Sequence, residues 1–401
     1  MRIAHLITRM IIGGAQENTL FNCLDLVRDF GDDCLLVTGP SLGPEGDLLS
    51  RSGYTEGVNE LPEQSRGGQF EIRQVDSLRR NIHPLNDWKA YRALKQIIRD
   101  YRPDVVHTHS AKAGLLGRIA AWSLKVPVVV HTIHGAPFHD FQPKPAREFF
   151  RRCERFAAGH CHHMISVADA MTDLMVSTKV APATKFTTIS SGMEVDPFLN
   201  ADQHRQRVRE SFGIQPDEVV VGKIARLFHL KGHDDLITSA VDVVKQCPQT
   251  RFLLVGDGIL RHELEQRLES LGLRERFIFA GLLPPHQVCE MIGAMDILVH
   301  TSLREGLARA LPQALIAGKP AVSYDVDGAR EVVISDVTGK LIPARDCQQL
   351  SAALIDLIND SEKRQRLGRE GQRRFEKQFR HQYMTEQIRA LYEHLAATHR
   401  T

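Results

Sequence analysis

Two cations follow a strand-like run near the middle of the chain. Arg226 and Lys231 come after the apolar residues 219–225, in a loop that also contains glycine and histidine. In open α/β sheets, loops at the carboxyl ends of the strands line the ligand site. Two cations held there would stabilise the charge on a departing diphosphate. The pair therefore indicates a phosphate-bearing ligand, and two ordinary surface cations are the alternative.

A carboxylate occupies a similar place after another strand-like run. Glu305 follows residues 296–300. Proline is tolerated in a helix only near its first turn, so Pro312 predicts a helix that begins at residues 309–311. The backbone amides just before that helix belong to Gly306, Leu307 and Ala308. A carboxylate beside such an anion-binding turn suits a ligand that carries both hydroxyls and phosphate, and a glutamate that only caps the helix is the alternative.

Glycines mark two further turns. Gly13 and Gly14 separate a first strand-like run from an amphipathic helix, where backbone N–H groups can approach an anion closely. A tight strand-to-helix turn is the other interpretation of this pair. Gly256 and Gly258 resemble the start of a dinucleotide fingerprint, but Arg261 stands where the third glycine should be. The sequence therefore does not predict a nicotinamide site.

Composition and charge restrict the class of protein. The chain has 401 residues, 42% of them hydrophobic, and a net charge of +2, which is typical of a globular protein with two or three domains. Recognition of nucleic acid through phosphate charge would normally need a far more basic chain. The sequence contains no apolar run long enough to span a membrane and no signal-peptide pattern. Its seven scattered cysteines argue against a disulfide framework, so we expect a cytoplasmic protein.

Strand-like and helix-like patterns alternate in two blocks. This alternation predicts an α/β fold with two Rossmann-like, doubly wound parallel sheets. We place the first domain at residues 1–195, a linker or hinge at 196–217, the second domain at 218–380 and a final helix packing across both lobes at 381–401.

The order of these motifs along the chain resembles the retaining glycosyltransferase family 4, also called glycosyl transferases group 1. The second block carries Arg226, Lys231-Gly232, Gly256-Asp-Gly258, Phe279-Ala-Gly281, and Glu305-Gly306 with Gln313 eight positions on. The first block carries His107-Thr-His109 and His131-Thr-Ile-His134. The resemblance covers nearly the whole chain. It implies the GT-B fold, in which two such domains face a central cleft, with the sugar donor on the second domain and the acceptor on the first.

The resemblance also implies roles for individual residues. Arg226 and Lys231 would hold the donor diphosphate, Glu305 would hold the hydroxyls of the transferred sugar, and His134 would lie beside the reacting centre. The other donor-binding positions implied are Gly13, Gly14, Gly256, Gly281, Gly306, Leu307, Ala308 and Gln313. Gln313 departs from the family, which has a second glutamate there that contacts the ribose, and this departure puts the ribose contact in doubt.

The expected activity is transfer of a sugar from a nucleotide-diphosphate sugar to a hydroxyl acceptor, with retention of configuration and with no metal or other cofactor. We expect a sugar or a lipid-linked sugar as acceptor, in the synthesis of a cell-surface polysaccharide or a glycolipid. A nucleotide-sugar epimerase or hydrolase, and a sugar-nucleotide binder without activity, remain alternatives.

Two other segments contain residues of functional types. Residues 153–163 contain cysteines and histidines, but adjacent ligands that enter a strand alternate between its faces, so no metal site is predicted there. The run Phe149-Phe150-Arg151-Arg152 suits contact with a lipid headgroup, and ordinary helix packing is the alternative. We accordingly expect peripheral contact with the inner face of the membrane and no nucleic-acid partner.

Overall fold

The computed structural model of the protein describes residues 1–42, 46–51 and 67–399. These form two units, Met1–Met193 with Arg380–Thr401 and Glu194–Phe379. Each unit contains one parallel sheet with helices packed against it. The predicted fold class, two doubly wound parallel-sheet domains, is confirmed.

The first unit is built on a seven-stranded sheet of order β3-β2-β1-β4-β5-β6-β7. Its elements in chain order are β1 (Arg2–Ile7), α1 (Gly14–Phe30), β2 (Asp33–Thr38), α2 (Leu48–Arg51), β3 (Phe70–Gln74), α3 (Pro84–Tyr101), β4 (Val105–His109), α4 (Ala111–Ser123), β5 (Val128–Ile133), α5 (Lys144–Ala158), β6 (His163–Ser166), α6 (Asp169–Ser177) and β7 (Phe186–Thr188). Alternate residues of the central strands enter two separate apolar clusters, one on each face. This burial on both faces explains why the strands contain nearly continuous apolar runs.

The second unit is built on a six-stranded sheet of order β10-β9-β8-β11-β12-β13. Its elements are α7 (Asp196–Leu199), α8 (Arg205–Ser211), β8 (Val219–Ile224), α9 (His233–Gln246), β9 (Thr250–Val255), α10 (Arg261–Ser270), β10 (Phe277–Gly281), α11 (Pro285–Ala294), β11 (Ile297–His300), α12 (Ala310–Ile316), β12 (Ala321–Tyr324), β13 (Gly339–Ile342), α13 (Cys347–Asn359) and α14 (Ser361–Phe375). The strand order places β8 beside β11. The loops that follow these two strands are therefore neighbours at the carboxyl edge of the sheet.

The last helix, α15 (His381–His399), belongs to the first unit. Its His381 and Thr385 side chains meet the buried carboxylate of Asp25, at 2.7 and 3.0 Å. Its Arg389 Nε donates to Asp32 Oδ2 at 2.7 Å. The sequence predicted a helix packing across both lobes, whereas these contacts are all made within the first unit.

The segment predicted as a linker at residues 196–217 is folded into the second unit. It contains α7 and α8, and two arginines anchor it to Asp296, which directly precedes β11. Arg205 and Arg209 donate to the two carboxylate oxygens of Asp296 at 2.6 and 2.9 Å. The division between the units falls at residues 193–194, and this segment is therefore part of a domain and not a separate hinge.

Candidate active site

Lys231 and Glu305 meet at the carboxyl edge of the second sheet. Lys231 follows β8 and Glu305 follows β11, which are adjacent strands. The Lys231 ammonium donates a hydrogen bond to Glu305 Oε1, and both side chains keep about a fifth of their surface exposed. Of the residues predicted from sequence, the structure thus brings a cation and a carboxylate into direct contact.

The surroundings of Glu305 keep its carboxylate charged. Burial alone would raise the pKa of Glu305, but the charge and the hydrogen bond of the Lys231 ammonium more than offset it, and the pKa lies below its ordinary value. The Nε2 atom of His300 is 3.8 Å from Glu305 Oε1. The backbone N–H of Glu305 donates to Asp327 Oδ2 at 2.6 Å, which fixes the loop. The site therefore holds an anion whose position is set by both backbone and side chain.

A second lysine lies behind this pair. Lys223, near the carboxyl end of β8, is 1% exposed, and its ammonium donates to Thr301 Oγ1 at 2.7 Å. Burial, and then the charge of Lys231, lower the pKa of Lys223 to about 7. Burial also lowers the pKa of His300 to about 3, so this ring is neutral near pH 7. Sequence reasoning missed Lys223, although a lysine inside an apolar strand run was a signal that could have found it.

The backbone of the loop after β8 places Lys231. Leu230 and Gly232 on either side of it have positive φ angles of 65° and 64°. A Cβ atom on Gly232 would lie 1.9 Å from the Thr301 carbonyl oxygen, so this position needs glycine for both its conformation and its close approach. Thr301 Oγ1 also donates to the Gly232 carbonyl at 2.5 Å.

Arg226 lies at the start of the same loop. Its guanidinium carbon is 5.0 Å from the centre of the Phe228 ring. Its backbone carbonyl accepts a hydrogen bond from His233 Nε2 at 2.9 Å. Burial lowers the pKa of His233 to about 3, which leaves this ring neutral. Arg226 is thus held by its backbone on the loop that also carries Lys231.

The predicted glycines of the second unit bring backbone segments close together. Gly256 has a φ of 131°, and a Cβ atom on it would lie 2.2 Å from the Ala225 carbonyl oxygen. Its N–H donates to the Gly281 carbonyl at 2.9 Å. The Gly306 carbonyl accepts from the Gly328 N–H at 3.0 Å. In this structure these glycines let neighbouring backbone segments approach one another at the edge of the sheet. Their contact with a sugar donor stays a prediction.

The remaining donor-binding positions lie around the start of α12. This helix begins at Ala310, within the range that Pro312 predicted. Ala308 is buried, whereas Leu307 and Gln313 are half-buried. Gln313 is therefore on the first turns of the helix, in the same unit as Lys231 and Glu305.

In the first unit, Gly13 and Gly14 lie at the N-terminus of α1. The helix begins at Gly14, and no side chain caps it. The Gly13 carbonyl accepts the first helical hydrogen bond, from the Glu17 N–H at 3.1 Å. The predicted turn is therefore present, and its N–H groups belong to a helix of 17 residues.

His134 comes directly after β5 and is the outermost member of a histidine cluster. Its Nε2 atom lies 3.1 Å from His109 Nδ1, and His109 Nε2 lies 3.0 Å from His5 Nδ1. Burial and the neighbouring histidines lower the pKa of both His107 and His109 well below the ordinary value, so both rings are neutral. His134 is half-buried, whereas His5, His107 and His109 are fully buried. Sequence reasoning did not single out His5.

Two groups in this cluster have the residue types and spacing of metal ligands. Within the described residues, ligand atoms lie within 4.8 Å of one another in the group His5, His107 and His109 and in the group His5, Cys23 and Cys34. Both groups are buried in the first unit, and neither includes the cysteines and histidines of residues 153–163. The expectation that the enzyme needs no metal stays a prediction.

Comparison with known proteins identifies the family. Residues 28–192 match the family described as "Glycosyl transferase 4-like domain", and residues 204–374 match "Glycosyl transferases group 1". The two matches follow each other along the chain and together cover most of it. The chain therefore belongs to the group 1 glycosyltransferases of the GT4 type, and it is an enzyme of that class.

Two curated relatives are similar over most of their length. One is the UDP-Gal:alpha-D-GlcNAc-diphosphoundecaprenol alpha-1,3-galactosyltransferase of Escherichia coli, 27% identical over 71% of this chain and 74% of the relative. The other is the 2-deoxystreptamine N-acetyl-D-glucosaminyltransferase of Streptomyces fradiae, 28% identical over 88% of this chain and 84% of the relative.

A solved structure has the same fold. Anabaena Alr3699/HepE, crystallised in complex with UDP and glucose, matches with a TM-score of 0.80 at 21% identity, over 98% of this chain and all of the other. This likeness shows that the fold is that of the GT-B glycosyltransferases. No helix in the described part of the chain is both long and apolar enough to span a membrane.

We predict that Gly232→Ala destabilises the second unit more than Gly272→Ala does. Both glycines have φ near +65°, so each alanine meets a conformational cost of about 1–2 kcal/mol. Only at Gly232 does the new methyl group also collide with a backbone oxygen, since nothing lies within 4 Å of a Cβ at Gly272. Urea unfolding of the two variants measures the difference. Equal losses of stability in the two variants would show that the loop accommodates the new methyl group at position 232 without additional strain.

Proposed function

We propose that this enzyme transfers a sugar from a nucleotide-diphosphate sugar to a hydroxyl acceptor with retention of configuration. The observation that carries the proposal is the contact between Lys231 and Glu305 at the carboxyl edge of the second sheet. A donor of this kind carries an anionic diphosphate next to a neutral sugar ring. A cation can bind the diphosphate of such a donor, and a fixed carboxylate can accept hydrogen bonds from the hydroxyls of its sugar.

In the proposed reaction, Arg226 and Lys231 bind the diphosphate and Glu305 accepts hydrogen bonds from the sugar. The bond between the anomeric carbon and the diphosphate oxygen breaks, and a bond to the acceptor oxygen forms on the same face. The acceptor proton leaves with the diphosphate. The negative charge that grows on the leaving group is stabilised by the two fixed cations, which take the place of a metal ion. We assign His134 to a contact with the transferred sugar.

The donor diphosphate must compete with Glu305 for Lys231, because the two side chains are paired in the free enzyme. When a diphosphate binds Lys231, the Glu305 carboxylate becomes available to sugar hydroxyls. The buried Lys223 adds to the positive potential behind the pair when it is protonated.

The product assay tests this function against its two alternatives. Purified protein is first screened for thermal stabilisation by UDP-, GDP- and ADP-sugars, because a bound ligand stabilises by mass action. The stabilising donor is then incubated with candidate acceptors, with and without EDTA. We expect an α-linked product from an α-linked donor at an unchanged rate in EDTA. An epimerised or hydrolysed donor without acceptor, or binding without any product, would identify one of the alternatives, and inversion would disprove retention.

We predict that Glu305→Gln lowers transfer about 100-fold while the affinity for the free nucleoside diphosphate stays equal or increases. The amide still fits the loop, but it no longer neutralises Lys231, which is then free to bind phosphate. Lys231→Met is the matched variant, and it is expected to weaken both transfer and nucleotide binding, by about 2–4 kcal/mol in the transition state. Calorimetric titration with the matching nucleoside diphosphate separates the two. A loss of affinity in Glu305→Gln would place this carboxylate on the nucleotide.

We propose further that the acceptor is a sugar held at the membrane, and that α5 contacts the lipid. The E. coli relative acts, by its name, on a diphosphoundecaprenol-linked sugar. Phe149 and Phe156 on α5 are 54% and 56% exposed, and Arg152 lies between them on the same face of the helix, because residues three and seven apart share a face. Exposed phenyl rings beside arginine suit an anionic bilayer. Phe150, in contrast, packs against the core of the first unit.

We predict that the double variant Phe149→Ser/Phe156→Ser binds vesicles containing phosphatidylglycerol at least tenfold less tightly than the wild type. Burial of an apolar side chain contributes about 1.5–3 kcal/mol when complete. Tyr383→Ser, which removes an exposed aromatic ring of similar size on α15, serves as the control and is expected to bind as the wild type does. Co-sedimentation measures the binding. Unchanged binding of the double variant would remove α5 from the membrane contact.

A further inference from the structure

Lys223 lies behind the Lys231–Glu305 pair, on the side of the second sheet that carries an apolar core. Because side chains alternate along a strand, Lys223 faces the same side as Val221, which belongs to the apolar cluster there. Its neighbour in register on β9 is Leu254, another member of that cluster. A lysine is rarely buried so completely unless its ammonium is paired with a charge. Packing alone therefore does not explain why a lysine occupies this position.

Hydrogen bonds connect Lys223 to the loop that carries Lys231. The ammonium donates to Thr301 Oγ1 at 2.7 Å, and this hydroxyl donates in turn to the Gly232 carbonyl at 2.5 Å. A hydroxyl has one proton to donate, so the bond to Gly232 leaves Thr301 as the acceptor toward Lys223. The lysine thus holds the loop after β8 against the start of the loop after β11. It does so through a neutral partner, which does not compensate its own charge.

Charged groups of three neighbouring segments act on this ammonium. Burial, and then the charge of Lys231 in the loop after β8, lower the pKa of Lys223 to about 7. The carboxylates of Glu305, in the loop after β11, and of Asp235, on α9, raise this pKa. The protonation of Lys223 therefore depends on the balance of charge around Lys231.

Other titratable groups near Lys223 keep one protonation state between pH 7 and pH 9. Burial lowers the pKa of both His233 and His300 to about 3, so these two rings are neutral. Burial, and then Asp235, raise the pKa of Tyr324, whose hydroxyl keeps its proton and donates to Asp235 Oδ2 at 2.9 Å. These groups therefore do not account for a change of charge in this pH range.

Binding of a diphosphate would change the charge around Lys231. In the free enzyme, Lys231 is paired with Glu305. A diphosphate that replaces Glu305 as the partner of Lys231 adds further negative charge in front of the buried amine. An opposite charge close to a titratable group favours its charged form.

We infer that Lys223 is a positioning residue of the donor-binding site, which holds the Lys231 loop through Thr301 and takes up a proton from solvent when a nucleoside diphosphate binds. The binding of the diphosphate at Lys231 rests on the proposed function. The proton adds a positive charge behind Lys231, on the side where negative charge grows as the diphosphate leaves the sugar. Since the bound state holds more protons than the free state, affinity for the diphosphate decreases as the pH rises.

Calorimetry measures this proton directly. UDP, GDP and ADP are titrated into the protein at pH 8, where their terminal phosphate is already deprotonated. The tightest binder is then measured in buffers with different enthalpies of ionisation. For a diphosphate that prefers the protonated form of Lys223 about tenfold, we expect uptake of about 0.4 of a proton at pH 8 and an affinity about fivefold lower at pH 9 than at pH 7. Binding without proton uptake overturns the inference.

Two lysine-to-methionine variants make a matched pair. Lys223→Met keeps an unbranched side chain of similar length but has no amine, so we expect no proton uptake and equal affinities at pH 7 and pH 9. Lys245→Met changes an exposed lysine on α9 of the same unit and is expected to behave as the wild type does. If Lys223 has only a structural role, its variant binds more weakly at every pH and the uptake persists, and this result overturns the inference.

The link through Thr301 has its own pair of variants. Thr301→Val has the same shape without the hydroxyl, and it is expected to bind the nucleotide about tenfold less tightly at pH 7 because the loop loses this connection. Thr301→Ser keeps the hydroxyl and is expected to restore the affinity. An unchanged affinity in Thr301→Val would refute the positioning of the Lys231 loop by Lys223.

The wild type provides a measurement that does not depend on the folding of a variant. In protein labelled with ¹³C at the lysine Cε atoms, we expect one resonance that titrates near pH 7 without ligand and at a higher pH with the nucleotide. If every lysine resonance titrates above pH 9, the inference is wrong.

These experiments separate the inference from the proposed function. Nucleotide binding with proton uptake but without sugar transfer would support the inference and refute the proposed reaction. Sugar transfer without proton uptake would refute only the inference. Failure of all three nucleotides to bind would refute both.

Discussion

The adjacency of β8 and β11 in the second sheet is the constraint on which the candidate site depends. The loops after these strands carry Lys231 and Glu305, which are 74 positions apart in sequence. Parallel pairing brings both loops to one edge, where the opposite charges meet. Neither residue could be placed by its own neighbours in sequence, because the contact exists only when the strand order reverses direction at this point of the sheet. Ligand sites of α/β proteins commonly lie at such points.

The charges near this edge are arranged in two layers. Lys231 and Glu305 are partly exposed and neutralise each other, whereas Lys223 lies fully buried behind them with Thr301 as its partner. A buried amine without a carboxylate is costly, and its lowered pKa expresses that cost. An anion bound at Lys231 would favour the protonated form of Lys223. The buried lysine thus links its own protonation to occupation of the outer site.

Local patterns in the sequence predicted most of the strands and helices. They did not predict the contacts between residues that are far apart in sequence. The apolar runs predicted the strands, and Pro312 predicted the start of α12. Both features depend on the chemistry of a few adjacent residues. The place of α15 depends on Asp25, which meets His381 across 356 positions. The contacts of His109 with His5 and His134 depend on the order of β1, β4 and β5 in the first sheet. The glycine motifs were interpreted as ligand contacts, and in the structure Gly256 first of all lets two backbone segments approach.

Both units hold buried polar side chains whose desolvation disfavours the folded state. A methionine in place of Lys223 would remove a desolvation penalty, just as apolar residues often replace buried ion pairs without cost. His5 and His109 are also fully buried, among apolar residues and other buried polar side chains of the first sheet such as His107 and Thr132. Packing alone therefore does not account for these groups. Each one is connected by contact or charge to a partly exposed residue at a carboxyl edge, Lys223 to Lys231 and the two histidines to His134. A polar interior that leads to the edge of the sheet can orient a side chain that a flexible surface loop could not orient by itself.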